Sequence, residues 1–362
     1  MRATATPEPD LPRTAIVLPP REGFSPEAVG AIGLLVHRLM RAGVPGTVLG
    51  RATPAPFEGV PFVPIRPGFG LSGIARYASG AARALKTLRP ALIEVHNRPE
   101  VALRLVRLGI PTTLILHNDP VAMRGARTAR QRAALLSRMA RVVTVSDYLR
   151  RRFMLGMDGP AGPVVLPNCL DAIPPGTGPP TKLLLFAGRV VADKGADVFV
   201  DACARALPQA PGWRAAIIGA DRFGADSPDT PFLQALRPRA AAAGVVLMGH
   251  QPHAAVLDAM REAAIVCVPS RWQEPFGLTA LEAMACGAAL VCSRRGGLPE
   301  VAGNAALYVE PEPAAIATAL LALIADPARR AALGEAGRVQ AARFGVPAAA
   351  QALMALRREI LA

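Results

Sequence analysis

At 362 residues the chain has room for about two domains of ordinary size, and 51% hydrophobic residues supply a core for each. No apolar run reaches the roughly 18 residues of a membrane-spanning helix, and the first dozen residues lack the apolar segment of a secretory signal, so a cytoplasmic protein is expected. The net charge of +14 is uneven: residues 1–180 carry 23 Lys and Arg against 11 Asp and Glu, a net of +12, and residues 181–362 carry 18 against 16, a net of +2. A basic first half points to an anionic partner for that half, such as a membrane surface or a phosphorylated acceptor. Aromatic residues make up only 4%, which leaves few platforms for stacked bases, and nucleic acid is not expected. The five cysteines, Cys169, Cys203, Cys267, Cys286 and Cys292, are odd in number and never spaced Cys-x-x-Cys. They read as buried free thiols, with no metal site and no cofactor.

Residues 1–12, rich in proline and acids, read as a disordered tail. A first domain is expected over 13–170. In it Thr14–Leu18 forms a short strand, the loop PPREGFSPE follows, and an amphipathic helix runs from Glu27 to Arg41. Ala91–Val95, Thr112–Leu116 and Val142–Val145 repeat the strand signal, each followed by a charged helical segment. PNCLDAIPPGTGPP (167–180) holds five prolines and two glycines, and a linker is placed at 171–180. Beyond it Lys182–Ala187, Ala215–Ile218, Val245–Met248, Ile265–Val268 and Ala288–Cys292 read as strands of a second domain, 181–346. Repeated βα units imply parallel sheets, and the fold class is α/β with two doubly wound domains.

The stretch SRWQEPFGLTALEAMACGAALVCSRRGG (270–297) places carboxylates at Glu274 and Glu282 around a helix start near Thr279, with a glycine pair at Gly296 and Gly297. Free N–H groups at that start suit an anion or sugar hydroxyls. Each acid has a plain alternative. Thr279 and Glu282 fit a capping box, and Glu274 before Pro275 fits a surface acid. The earlier segment GRVVADKG puts Arg189 and Lys194 on a glycine-flanked turn at a strand end, where two cations suit a diphosphate; a solvated basic turn is the alternative. All these groups fall at carboxyl ends of strands of one parallel sheet, where such sheets bind ligands.

LPNCLD, GRVVADKG and EPFGLTALE together resemble the retaining glycosyltransferases of family four, which have the GT-B architecture: two Rossmann-like domains facing a central cleft. The resemblance spans about Pro167 to Gly303. It implies that Arg189 and Lys194 bind the donor diphosphate, that Glu274 sits against the donor sugar and that Glu282 bonds the nucleotide ribose. The backbone of Phe276, Gly277 and Leu278 would touch sugar or phosphate, and Gly188, Gly219 and Gly249 join the donor-binding set. His117, in LILHNDP, matches a family histidine lying over the donor sugar. Arg21, Glu22 and Gly23 stand where the family has a loop with paired glycines; here there is one, and Gly23 is placed at the donor. His96 and Asn97, in EVHNRPE, are placed at the acceptor, and His250 and His253 on a loop near the base. With no Asp-x-Asp in the chain, the two cations would neutralise the diphosphate without a metal. The last helix, 347–362, would cross back to the first domain.

The expected activity is transfer of a hexose, with retention, from a nucleotide diphosphate sugar to a hydroxyl of a glycan or lipid-linked glycan, of the lipopolysaccharide or exopolysaccharide type. A uridine diphosphate sugar is the default donor and guanosine diphosphate mannose the next. The basic segments RYASGAARALKTLR and MRGARTARQRAALLSRMAR read either as solvated helix faces or as a surface that adheres to anionic lipid at the inner face of the membrane. The rivals are a nucleotide-sugar epimerase of the same fold and a non-enzymatic basic lipid-binding module. A phosphorylase would need a pyridoxal-binding lysine, and beyond Lys194 the chain has none.

Overall fold

The structure, a computed structural model, describes residues 13–27, 29–159, 162–174, 176, 178–221 and 229–362. The tail expected at 1–12 and parts of the expected linker lie outside the described residues. The chain forms two compact units, one holding the described residues up to Cys169 together with Val346–Ala362, the other Leu170–Gly345.

The first unit is built on seven strands: β1 (Thr14–Val17), β2 (Thr47–Gly50), β3 (Phe62–Pro64), β4 (Leu92–His96), β5 (Thr112–Leu116), β6 (Arg141–Thr144) and β7 (Val164–Val165). All pairs are parallel, in the order β3-β2-β1-β4-β5-β6-β7. β1, β4 and β5 are buried along their whole length, as strands covered on both faces must be, and this is why they read as mostly apolar stretches without alternation. The second unit repeats the plan with β8 (Thr181–Ala187), β9 (Arg214–Ile218), β10 (Val245–Leu247), β11 (Ala263–Val268), β12 (Ala289–Cys292) and β13 (Ala306–Tyr308), in the parallel order β10-β9-β8-β11-β12-β13. In each sheet the order reverses beside the first strand, between β1 and β4 and between β8 and β11. The loops leaving those strands diverge there and open a crevice.

Strands β2, β3, β7 and β13 have no counterpart among the expected elements. They are two to four residues long, too short for a pattern, and β3, β7 and β13 lie at sheet edges. Pro64 ends β3, which an edge strand tolerates because no ladder donor is needed there. The first helix begins at Ala31, not Glu27, with Gly30 as an extended N-cap.

The C-terminal helix Val346–Leu361 packs on the first unit. Ala350 and Leu353 meet Val44, and Leu356 meets Ile115 and Val143. Arg357, 1% exposed, grips Glu94 of β4 with two bonds of 2.8 and 2.7 Å and donates to Pro45 O at 2.5 Å. All five cysteines are buried free thiols. Burial pushes the Cys286 and Cys292 thiols up to about 12, so neither is poised as a nucleophile. No helix of the described residues is long and apolar enough to cross a membrane.

Candidate active site

In the second unit the loops after β8 and β11 leave the reversal point side by side and are stitched together. The backbone N–H groups of Arg271 and Trp272 both donate to Asp193 O, at 2.9 and 3.0 Å, and the Arg271 guanidinium holds Asp197 with two bonds of 2.8 and 3.0 Å. This brings Lys194 against Glu274: Nζ lies 2.6 and 2.8 Å from the two carboxylate oxygens. Ser270 Oγ donates to the same carboxylate at 2.7 Å, and Ser293 Oγ donates to Ser270 O at 2.6 Å. Glu274 is only 6% exposed. The surface-acid alternative is thus corrected: this is a buried carboxylate with a cation and a hydroxyl aimed at it.

Two glycines make the approach possible. Gly195, at φ 75°, has the Pro269 carbonyl where a Cβ would stand 2.2 Å away. Any side chain there would push the Lys194 loop off the end of β11. Gly296, at φ 62°, faces Glu274 O in the same way, 2.1 Å from a hypothetical Cβ, while Gly297 N donates to Glu274 O at 2.7 Å and Gly296 N to Gln273 Oε1 at 2.7 Å. The paired glycines therefore seat the Glu274 loop.

The helix Leu278–Cys286 starts from Gly277, which makes no side-chain cap. Thr279 lies inside the first turn, so the capping-box alternative for Glu282 is corrected as well. Glu282 instead meets His253 Nε2 at 2.8 Å, a partnership across 29 positions that no local pattern announces. Among the described residues no protein acceptor meets the N–H groups of Phe276, Gly277 and Leu278, which leaves them free for an anion. The Phe276 ring itself is buried edge-on against Phe344, 5.7 Å between centroids, so only its backbone serves the site. Arg189 is half-buried and forms no ion pair among the described residues. Around it Gly188 N donates to Ile218 O at 3.0 Å and Gly219 N to Gly249 O at 2.9 Å, drawing the ends of β8, β9 and β10 together. A cavity beside them is lined by Gly219, Gly249, His250, Asp229 and Arg237. Arg189, Lys194, Glu274, Glu282 and the glycines at 188, 219, 249 and 277 thus fall on one sheet's carboxyl edge.

In the first unit Asn97, at the left-handed φ of 56° that asparagine tolerates, accepts the N–H groups of His117 and Asn118 on its Oδ1, both at 3.1 Å. His96 Nδ1 lies 3.0 Å from His117 Nε2, with the rings stacked at 5.2 Å. His96 and Asn97 are each 3% exposed. The expectation that they face an acceptor is corrected: buried and bonded, they hold His117 in place. His96 Nε2 is buried without a partner and borders a small cavity that Glu94, His117 and Arg357 also line. An orphaned acceptor costs less than an orphaned N–H, so we assign the proton to His96 Nδ1, donating to His117 Nε2 and leaving the His117 proton on Nδ1.

Burial holds the His96 imidazole down at about 3. Burial, and then the neighbouring His96, keep His117 well below the ordinary value. Both are neutral at pH 7. Because these values are depressed, the unfolded chain binds protons below about pH 6.5 that the folded chain refuses, and stability falls as pH falls. Urea unfolding at pH 7.5, 6 and 5 is expected to show a shallow loss of stability over the first step and a steeper one over the second, approaching about 1.4 kcal/mol per pH unit for each histidine below pH 6.5. His96→Asn should reduce that slope, and an unchanged slope would contradict the assignment.

The loop after β1 differs from the expectation for Gly23. Glu22 Oε1 accepts the Gly33 N–H at 2.8 Å, so the chain's own carboxylate fills the N-terminal turn of the helix Ala31–Arg41, where a diphosphate beside Gly23 would be received. Burial raises the Glu22 carboxyl above its ordinary value, opposed by the Gly33 and Ile32 N–H groups and by Arg98. Ser270, Asp193, Arg271, His253 and Arg98 were not singled out in these roles from the sequence. Only Ser270, two residues past the end of a strand and four residues before Glu274, carried a local signal.

Two doubly wound parallel-sheet units, the second with paired cation and carboxylate at its reversal point, define the GT-B class of fold. The sequence matches the family described as "Glycosyl transferases group 1" over residues 174–340 and that described as "Glycosyltransferase Family 4" over residues 32–172. The chain belongs to the family-four glycosyltransferases. A D-inositol 3-phosphate glycosyltransferase of Segniliparus rotundus is 33% identical over 189 residues, 51% of this chain and 42% of that protein. Another of that name, from Kineococcus radiotolerans, is 34% identical over 250 residues, 60% of this chain and 57% of its own length. The chain thus spans about half the length of the curated relatives it matches. Among solved structures, Anabaena HepE in complex with UDP and glucose superposes with a TM-score of 0.76 at 18% identity, over 94% of this chain and 97% of that one. Sucrose-phosphate synthase from Thermosynechococcus elongatus gives 0.76 at 21% identity, over 96% and 98%. At these identities the likeness is one of fold.

Proposed function

We propose that the protein transfers a glycosyl group, with retention, from a nucleotide diphosphate sugar to a hydroxyl acceptor, and that the donor is a uridine diphosphate sugar. The observation that carries this reading is the buried Glu274 held by Lys194 beside the free N–H groups of residues 276–278. Arg189 and Lys194 supply positive charge where the leaving diphosphate gains negative charge, and fixed charge of this kind commonly lowers such barriers more than any other single effect. The helix start receives phosphate or sugar oxygens, Glu282 takes ribose hydroxyls, and Glu274 orients the sugar. The acceptor hydroxyl attacks on the face the diphosphate leaves, the C–O bond to the phosphate breaks as the new C–O bond forms, and a phosphate oxygen takes the hydroxyl proton. In the first unit His117, fixed by His96 and Asn97, is the candidate for contact with substrate.

HepE, a fold neighbour, was solved with UDP and glucose, which supports the choice of base. Two acceptor readings rest on different grounds. A lipid-linked glycan suits the basic first half, and a phosphorylated cyclitol suits the relatives' name, D-inositol 3-phosphate glycosyltransferase. The lipopolysaccharide and exopolysaccharide acceptors expected from the sequence have no support among these relatives. Incubation with a panel of nucleotide sugars, with and without each acceptor, tests the reading. A glycosylated product with the donor's anomeric configuration is expected. Conversion of the donor sugar without any acceptor would favour the epimerase reading, and no turnover of any donor would overturn the proposal.

A further inference from the structure

Between Glu58 and Glu94 the chain has no acidic residue and five cations, Arg66, Arg76, Arg83, Lys86 and Arg89, and all five are exposed. The same segment carries Phe69 at 91% exposure and Leu71 at 107%. They flank Gly70 on the loop that enters the helix Gly73–Leu88. This tip is built: Gly68 N donates to Arg76 O at 2.8 Å, and Ser72 Oγ caps the helix by accepting the Ala75 N–H at 3.2 Å. The helix is anchored from the other side, where Tyr77, Ala78, Ala81 and Leu85 enter the core and Tyr77 Oη donates to Leu18 O at 2.8 Å. Arg76 and Arg83 stand seven residues apart, on one stripe of the outer face.

A phenylalanine and a leucine held in water on an ordered tip gain free energy only from an apolar partner. A segment with five exposed cations and no acid requires that partner to be negative where it is polar. An anionic bilayer offers both, acidic headgroups above an apolar interior. Nucleic acid offers the charge but nothing for Leu71. The other basic segment is a poorer candidate, since its Arg132 is buried, donating to Phe153 O and Ala126 O at 2.5 and 3.0 Å.

We propose that the Phe69–Leu71 tip inserts into the interfacial layer of an anionic membrane while Arg66, Arg76, Arg83 and Lys86 engage its headgroups. This goes beyond the transfer reaction and does not depend on it. The test is flotation of the whole protein, without nucleotide sugar, on vesicles of phosphatidylcholine alone or mixed equally with phosphatidylglycerol. Binding to the mixed vesicles only, weakened by high salt, is expected. Phe69→Ser/Leu71→Ser should lower the partition coefficient by about tenfold or more, and Arg76→Glu/Arg83→Glu should do likewise, with thermal melting and nucleotide binding unchanged. Phe69→Trp should show blue-shifted emission that brominated acyl chains quench. No binding to anionic vesicles, or binding indifferent to the tip substitutions, would overturn the proposal. So would self-association of the wild type that the tip substitutions abolish, or binding to duplex RNA without binding to vesicles.

Discussion

Lys194→Ala is expected to lower turnover by about 10² to 10³-fold while the protein stays folded. Lys194 Nζ makes both of its bonds, at 2.6 and 2.8 Å, to one buried carboxylate, so the substitution removes positive charge from the proposed diphosphate position and leaves Glu274 with Ser270 alone. The Lys194 side chain is 25% exposed, so water can partly replace it, and the fold tolerates the loss. Lys194→Ala combined with Glu274→Gln separates the two effects. The double variant should melt closer to the wild type yet remain as inactive as Lys194→Ala. Steady-state kinetics beside thermal melting checks this, and near-normal turnover in Lys194→Ala would remove Lys194 from the chemistry.

The largest expected effect on stability lies far from that site. Arg357→Met should destabilise the first unit by about 3 to 5 kcal/mol, because the buried Glu94 carboxylate would lose its guanidinium partner. Both side chains are 2% exposed, so water cannot take the place of the guanidinium. Replacing both partners, as in Arg357→Met with Glu94→Leu, should recover most of the loss, since an apolar pair of similar volume carries no uncompensated charge. Urea unfolding of the three proteins measures it. A neutral Arg357→Met would mean that the C-terminal helix is held by its apolar contacts alone.

Two parallel sheets were legible in the sequence because buried strands such as Ala263–Val268 are uninterrupted apolar runs. The edge strands were not, since Val164–Val165 and Ala306–Tyr308 are too short to carry a period. In the site, residue types at strand ends were readable and their partners were not. Nothing local pairs Lys194 with Glu274, eighty residues on, or Glu282 with His253. Thr279 and Glu282 suggested a cap by their spacing; Gly277, at φ 111°, starts the helix earlier and frees the acid. His96 and Asn97 looked available because they end a strand, but the neighbouring strand end covers them and turns them toward His117. The single glycine of Arg21-Glu22-Gly23 marked a departure from the family's loop. Its physical content, Glu22 on the Gly33 N–H, depends on where the helix begins.

A donor site at the carboxyl edge of the second sheet is tested most directly by calorimetric titration of uridine diphosphate into the wild type, Arg189→Ala and Lys194→Ala. Saturable binding at one site is expected, weaker for guanosine diphosphate and weakened about tenfold or more by either substitution, as loss of a charge-assisted contact to phosphate requires. Binding that does not saturate, shows no preference among bases, or is indifferent to both substitutions would contradict it.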